Sequence, residues 1–197
     1  MNLVSPYKDI KQHTRIAIEP FQMNSEIKNN MKANLKKKVE KKCNQNGFID
    51  EVYRIIEYSD GMMIPENLNA CAIYNITYHC KICAPIENTI VIGKVKVINS
   101  ELIIATNGPL MFFIPKENIE TNTWDVTENY LHKKQKKKLA FSDDIKIQIL
   151  NKRVNKNDSI IKVIGKLIDF ATPEEVEKYF GNKISEEKTD LESNFII

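Results

Sequence analysis

Over residues 70–82, apolar and polar side chains alternate almost without a break. Ala70, Ala72, Tyr74, Ile76, Tyr78, Cys80 and Ile82 fall on one face, and Asn75, Thr77, His79 and Lys81 on the other. A period of two predicts a long strand with one buried side. Between Ser25 and Cys43 the period changes to four, with Ile27, Met31, Leu35 and Val39 recurring, which predicts a helix. Asn24 or Ser25 can cap its first N–H groups, and Gly47 follows its end. Two shorter runs, TRIAIE (14–19) before Pro20 and EVYRIIEY (51–58) before Ser59-Asp60-Gly61, predict further strands. Together they make a small α+β unit through about residue 84.

After Pro85 the pattern becomes purely β. Five runs follow: IVIGKVKVI (90–98), LIIAT (102–106), LMFFI (110–114), IKIQIL (145–150) and SIIKVIGKLI (159–168). Five short strands with one long connection between the third and fourth predict an OB-type barrel. Such a barrel bends its strands sharply, and Gly93, Gly108 and Gly165 are placed to supply corners, Gly108-Pro109 joining strands two and three. Thr172, Pro173 and Glu175 then read as N-cap, first helical residue and capping-box partner, with Gly181 as the stop. The last stretch is acidic up to Phe195-Ile196-Ile197, and this tail is expected to pack on a partner or on the N-terminal domain. The fold class is therefore α+β, with domains at 1–84 and 85–171 and a helical, acidic tail at 172–197.

Composition changes this picture little. There is no apolar run of about eighteen residues to span a membrane and no signal-peptide pattern at the start, so a soluble, intracellular chain is expected. The four cysteines fit a reducing compartment. Formal net charge is +3; residues 172–197 hold three lysines and seven acids, a balance of −4, leaving +7 on residues 1–171. Lysine outnumbers arginine 26 to 3 beside abundant Asn and Ile, as an AT-rich genome would encode, so part of the basicity carries no function. Two clusters stand out. Lys36, Lys37, Lys38, Lys41 and Lys42 sit near the helix C-terminus, where the dipole favours cations and a solvated face accounts for them. The run HKKQKKK (132–138) lies on the long connection, where no packing is predicted, and suits phosphate contacts.

Candidate chemistry is sparse. Cys80-Lys81-Ile82-Cys83 is a lone C-x-x-C; Cys43 and Cys71 form no second pair, and a strand sends Cys80 and Cys83 to opposite faces. They read as core cysteines, and no metal is expected. No phosphate-binding loop, dinucleotide fingerprint or nucleophile elbow occurs, and His13, His79 and His132 lie in unrelated contexts. The sequence offers neither a catalytic site nor a cofactor site.

Several of these residues carry a resemblance. Gly108-Pro109-Leu110 followed by Phe113-Ile114, Pro85 with Gly93, Gly61-Met62-Met63-Ile64-Pro65, and the strand Ala70–Tyr78 resemble motifs of the seventh subunit of multisubunit nuclear RNA polymerases, a stalk protein with an archaeal counterpart. The resemblance runs from about Arg15 to Ile168. It implies a ribonucleoprotein-like N-terminal domain, a C-terminal OB domain, and a place in the polymerase stalk beside a fourth subunit. It departs at three points. The loop before Gly61 is shorter, Leu102 and Ile103 stand where the family often has Gly-Phe, and the acidic tail after Ala171 has no counterpart in the short cellular forms. The Lys–Asn–Ile bias suits a large DNA virus encoding its own polymerase.

The resemblance implies a non-catalytic subunit of DNA-directed RNA polymerase that docks near the clamp and guides nascent RNA. Its expected partners are the largest and second-largest subunits, a small common core subunit, a fourth-subunit-like stalk partner and nascent RNA, with no membrane. The expected setting is the nucleus for a cellular form, and the viral factory and virion for a viral one. Docking is expected through Gly61, Met62, Met63, Ile64 and Pro65. RNA contacts are expected from Lys94, Lys96, Lys116, Lys133, Lys134, Lys136, Lys137 and Lys138. Phe113, at the family's aromatic position, is expected in the core, which turns Phe112 outward to stack on a base. A free-standing OB-fold RNA-binding protein of translation or RNA decay would share the barrel but would not need Gly61–Pro65.

Overall fold

The computed structural model describes residues 3–63, 69–126 and 130–181. The chain divides into two units, one formed by Tyr7–Ala84 with Val154–Ile161, the other by Met1–Pro6, Pro85–Arg153 and Lys162–Ile197. Both are mostly β.

The first unit contains β1 (Tyr7–Ile18), α1 (Ile27–Val39), β2 (Lys42–Asn44), β3 (Gly47–Tyr58), β4 (Met62–Met63) and β5 (Ala72–Cys83). The sheet order is β1-β5-β3-β2, with β4 also on β5. The predicted face of β5 holds: Ala72, Ile76, Tyr78, Cys80 and Ile82 are buried. Helix residues Met31 and Leu35 pack on Ile16, Ile18, Ile49, Val52, Ile76 and Tyr78. β1 begins seven residues before the predicted 14–19 run, since its polar half (Lys8, Asp9, Lys11, His13) is held through ladder pairing with β5 from Tyr7↔Cys83 to Ile18↔Ala72. α1 ends earlier than Cys43, because Lys41 takes φ +58 and Cys43 joins β2. Asn24 Oδ1 does accept from the Glu26 N–H at 2.9 Å at its start, and Lys42 Nζ donates to the carbonyls of Lys37 and Lys38 at its end, where the dipole is negative.

The second unit contains β6 (Ile90–Ile98), β7 (Leu102–Asn107), β8 (Leu110–Pro115), β9 (Trp124–Asp125), β10 (Leu131–His132), β11 (Lys137–Lys138), β12 (Asp144–Arg153) and β13 (Ile161–Phe170). Five of them close into a barrel in the order β12-β13-β8-β7-β6. Every strand of the predicted five is present. Gly108, at φ +57, makes the tight turn from β7 to β8 as expected. The β12–β13 register shifts beside Gly165, which pairs with Ile149, while Gly93 pairs with Ile145. The two glycines lie inside β13 and β6 and leave room for Ile147 of β12.

The described residues of the long connection, where the sequence predicts no packing, form regular structure. β9, β10 and β11 form a small sheet of their own. Trp124, Tyr130 and His132 are buried beneath it, Trp124 Nε1 donating to the Ile168 carbonyl at 3.3 Å and the Tyr130 hydroxyl to the Asn99 carbonyl at 2.7 Å. A helix opens at Pro173. Its capping box forms as predicted, with Thr172 N–H donating to Glu175 Oε2 at 2.9 Å and Glu175 N–H to Thr172 Oγ1 at 3.3 Å. Within its own unit the helix packs on the barrel, a contact the expectation for the tail did not include: Tyr179 is buried and Asn107 Nδ2 donates to its hydroxyl at 3.3 Å. Residues 182–197, including Phe195-Ile196-Ile197, lie outside the described residues.

Candidate nucleic-acid and docking surfaces

On β8 the two-residue period assigns Leu110, Phe112 and Ile114 to the barrel interior, and all three are buried. Phe112 is therefore core, and Phe113 is the half-buried ring on the other face. The expectation of an outward Phe112 is corrected. Matching Phe113 to a family position overrode the phase that Leu110 and Ile114 dictate, and a one-residue slip exchanges the faces of a strand.

β6 presents its cations as expected. Lys94 and Lys96 are exposed while Val91 and Val95 are buried. Val97 is exposed instead of sharing their face, because the β6–β7 register shifts between Val95 and Val97. The aromatic partner of these lysines is a residue that strand phase does not reveal. Phe141, 67% exposed, lies with its ring centroid 5.8 Å from Lys96 Nζ. The segment 140–143 folds back on β6, with the N–H groups of Val95 and Ser142 donating to the carbonyls of Asp143 and Val95. A lone Phe in a polar stretch, flanked by Ala140 and Ser142, was the available signal.

Of the basic run, Lys133, Lys134, Lys136, Lys137 and Lys138 are exposed on the β10–β11 hairpin, and Lys116 is exposed in the turn after β8. His132 is not part of that cationic surface. It is buried edge-on against Trp124, and Nδ1 accepts from the Gln135 N–H at 3.1 Å. Nε2 lies 3.2 Å from Asp169 Oδ1 but outside hydrogen-bonding geometry, so the contact is one of proximity and not an aligned bond. Two lysines are partly engaged. Lys137 pairs with Asp143 at 2.9 Å and stands 4.4 Å from the Phe170 centroid, and Lys133 donates to the Thr121 carbonyl at 2.6 Å.

At the other candidate surface, Met62 and Met63 form β4 on the edge of β5, opposite Ile73 and Ala72, and are 67% and 56% exposed. A Cβ on Gly61 would stand 2.6 Å from the Tyr74 ring, so the chain reaches β4 by passing closely over that tyrosine. Ile64 and Pro65 lie outside the described residues. Ala72 also pairs with Ile18, the last residue of β1, and three residues further on comes Phe21, exposed like the methionines. Exposed sulfur-bearing and aromatic side chains thus gather at one end of this sheet.

None of the four cysteines is in a disulfide. Cys43, Cys80 and Cys83 are buried, and burial, with the nearby charge of Asp158 or Asp9 respectively, pushes the Cys43 and Cys80 thiols up to about 11. Such thiols are packing groups and not nucleophiles at neutral pH.

No family model matches the chain. Across 181 residues it is 34% identical to a protein of Acanthamoeba polyphaga mimivirus that carries the provisional name DNA-directed RNA polymerase subunit L376, the match covering 91% of each chain.

Proposed function

The chain belongs to the DNA-directed RNA polymerase subunits, in a form shared with a large DNA virus, and within that family we propose that it is the non-catalytic stalk subunit. In this reading the N-terminal unit is the ribonucleoprotein-like domain and docks on the polymerase core near the clamp through the end of the sheet bearing Gly61, Met62 and Met63. Its contacts there are the largest and second-largest subunits and a small common core subunit. A fourth-subunit-like protein completes the stalk. The five-stranded barrel is the OB domain, and it guides nascent RNA as the transcript leaves the core. The chain has no active site of its own and works where its polymerase transcribes, the viral factory, and is packaged in the virion.

The observation that carries the RNA-guiding role is the juxtaposition of Lys94 and Lys96 on β6 with the exposed Phe141 ring, which Lys96 approaches to 5.8 Å. Ammonium groups meet phosphates without regard to sequence, and an exposed ring offers a stacking face worth about 1–3 kcal/mol per base. Lys116 and the β10–β11 lysines extend the basic surface. Weak, sequence-blind contacts suit a subunit tethered to the exit of the transcript, where effective concentration replaces affinity. The exposed methionines suit the docking role, because flexible, polarizable side chains fill irregular apolar pockets. Affinity purification of the tagged chain from infected cells, followed by mass spectrometry, tests the reading. Recovery of the two largest polymerase subunits in near-stoichiometric amounts is expected, and recovery without them would sink it.

A further inference from the structure

The N-terminal unit holds an open cavity of about 530 Å³ that neither surface above uses. It arises from a mismatch of lengths. α1, with 13 residues, spans about 20 Å. β1 and β5, with 12 residues each, run about 40 Å. The helix covers the sheet at Ile16 and Ile18 and stops at Val39, so Gln12 and Thr14, in the same two-residue phase of β1, share the cavity with only its last residues, Lys38 and Val39. The segment 154–161 and the β2–β3 turn wall the space instead. There the Cys43 N–H donates to the Asp158 carbonyl and the Asn157 N–H to the Cys43 carbonyl, both at 2.8 Å.

The floor of the cavity is polar where the strand period calls for an apolar residue. Gln12 is only 6% exposed. A chain of hydrogen bonds fixes which way its amide points. Asn44 Oδ1 accepts from the backbone N–H groups of Asn46 at 2.8 Å and Gly47 at 3.1 Å, so Asn44 must present Nδ2 to Gln12. That nitrogen donates to Gln12 Oε1 at 2.5 Å, and the Tyr78 hydroxyl donates to the same oxygen at 3.3 Å. Gln12 Nε2 is left as a buried donor with no partner among the described residues. A buried unpaired donor is unfavourable, and an acceptor placed on it by a ligand would relieve it.

Four lysines, Lys11, Lys38, Lys42 and Lys156, line the same space, and its fifteen lining residues include no carboxylate. Lys38 donates to the Arg15 carbonyl and Lys42 to two carbonyls of α1, so each amino group, with three N–H donors, has at least one left for a ligand. Lys11 and Lys156 make no hydrogen bond or ion pair among the described residues. The Asp158 carboxylate beside the cavity accepts from Asn155 Nδ2 at 2.9 Å.

We propose that this cavity binds the phosphate of a nucleotide. A phosphate offers oxygens enough to meet the Gln12 N–H and several ammonium groups together, where a carboxylate has only two. The volume lies in the range of small-ligand sites, about 300–1,000 Å³, and exceeds what a bare phosphate would fill. The rim residues Gln45, Asn46 and Asn157 add amides that can pair with the polar edge of a base. The phosphate belongs either to a free nucleotide or to a residue of an RNA strand.

The purified full chain, without polymerase, is titrated at low salt with ATP, with oligouridylate of about ten nucleotides, and with a glutamate peptide, so the outcome is independent of the stalk reading. ATP and RNA should bind, and Lys11→Glu/Lys156→Glu should weaken both on the order of tenfold or more. Comparable affinity per phosphate would identify the free nucleotide as a ligand, and binding of RNA alone would identify the strand. Gln12→Met removes the unpaired donor without changing charge, together with the acceptor of the Asn44 and Tyr78 bonds, so it should weaken binding and lower the melting temperature while leaving the chain folded at the temperature of the titration. The proposal is overturned if neither phosphate compound binds, or if the glutamate peptide binds as tightly as ATP. It is equally overturned if the Gln12 and Lys11/Lys156 variants bind normally and only Lys94→Ala/Lys96→Ala loses affinity.

Discussion

Ile147 of β12 occupies the space that a side chain on Gly165 of β13 would need: a Cβ at Gly165 would overlap Ile147 Cγ2. From the opposite neighbour, β6, a Cβ at Gly93 would come within 2.8 Å of Ile147 Cδ1. One isoleucine thus fills the barrel across two glycines, so the three positions form one packing unit.

Alanine at the two glycines should consequently behave differently. Overpacking a core costs about 1–3 kcal/mol, and Gly165→Ala should reach that range because the methyl it meets is on the stiff branched Cβ of Ile147. Gly93→Ala meets the far end of the same side chain, so Ile147→Val, which removes Cδ1, should rescue it and should not rescue Gly165→Ala. Urea unfolding of the single and double variants measures the coupling.

Phe112 and Phe141 should separate stability from RNA contact. Phe112 is fully buried, and Phe→Ala in a core costs about 3–5 kcal/mol. Phe141 is exposed, and its removal should shift stability by no more than about 0.5 kcal/mol. In an elongation complex, Phe141→Ala with Lys94→Ala and Lys96→Ala should reduce crosslinks to nascent RNA without releasing the subunit. Unchanged crosslinking would move the RNA path off this face.

What could and could not be read from the residues follows from how far each structure depends on its own side chains. The strands of the barrel were legible because each carries its own short run of apolar residues, Ile, Val, Leu or Phe. The first half of β1 was not, because Lys8, Asp9, Lys11 and His13 form a strand only through pairing with β5. The β9–β11 sheet escaped for a related reason: its strands have two residues each, and Trp124 and His132 hold it by contacts remote in sequence. At the candidate RNA face the lysines were legible from strand phase. Phe141 was not, since its place beside Lys96 depends on the fold-back of residues 140–143.

Replacing Met62 and Met63 with aspartate should release the subunit from the polymerase core while leaving it folded. Both side chains are exposed, so the substitution removes no core packing. Co-migration of the variant with the core on a size-exclusion column would place the docking contact elsewhere.

The buried thiols predict an alkaline limit to stability. Cys43 and Cys80 rise from an ordinary 9.0 to about 11 in the folded chain, so the fold favours the neutral thiol. Their contribution is therefore fully present below pH 9 and is lost as pH climbs through about 11. Melting temperature should fall across that window, and Cys43→Ala should make the fall shallower. At neutral pH the half-exposed Cys71 should be alkylated well before Cys43, Cys80 or Cys83.

Glu175 predicts the opposite limit, at acid pH, for the C-terminal helix. The Thr172 backbone N–H holds its carboxyl below the usual 4.5, with Lys146 adding to the effect from 3.1 Å. A lowered carboxyl stabilises the fold above its ordinary range, and that stabilisation disappears as pH falls through the folded value. The same carboxylate thus closes the capping box and ties the helix to β12 of the barrel. Loss of an N-terminal cap costs about 0.5–2 kcal/mol, so Glu175→Gln should speed amide exchange over residues 173–181 at pH 7. Because Tyr179 still anchors the helix through its buried ring, the barrel strands should keep their protection. On acidification, exchange in the wild-type helix should approach that of the variant. A difference between them that stays constant down to pH 3 would show that the Glu175 charge contributes nothing to holding the helix in place.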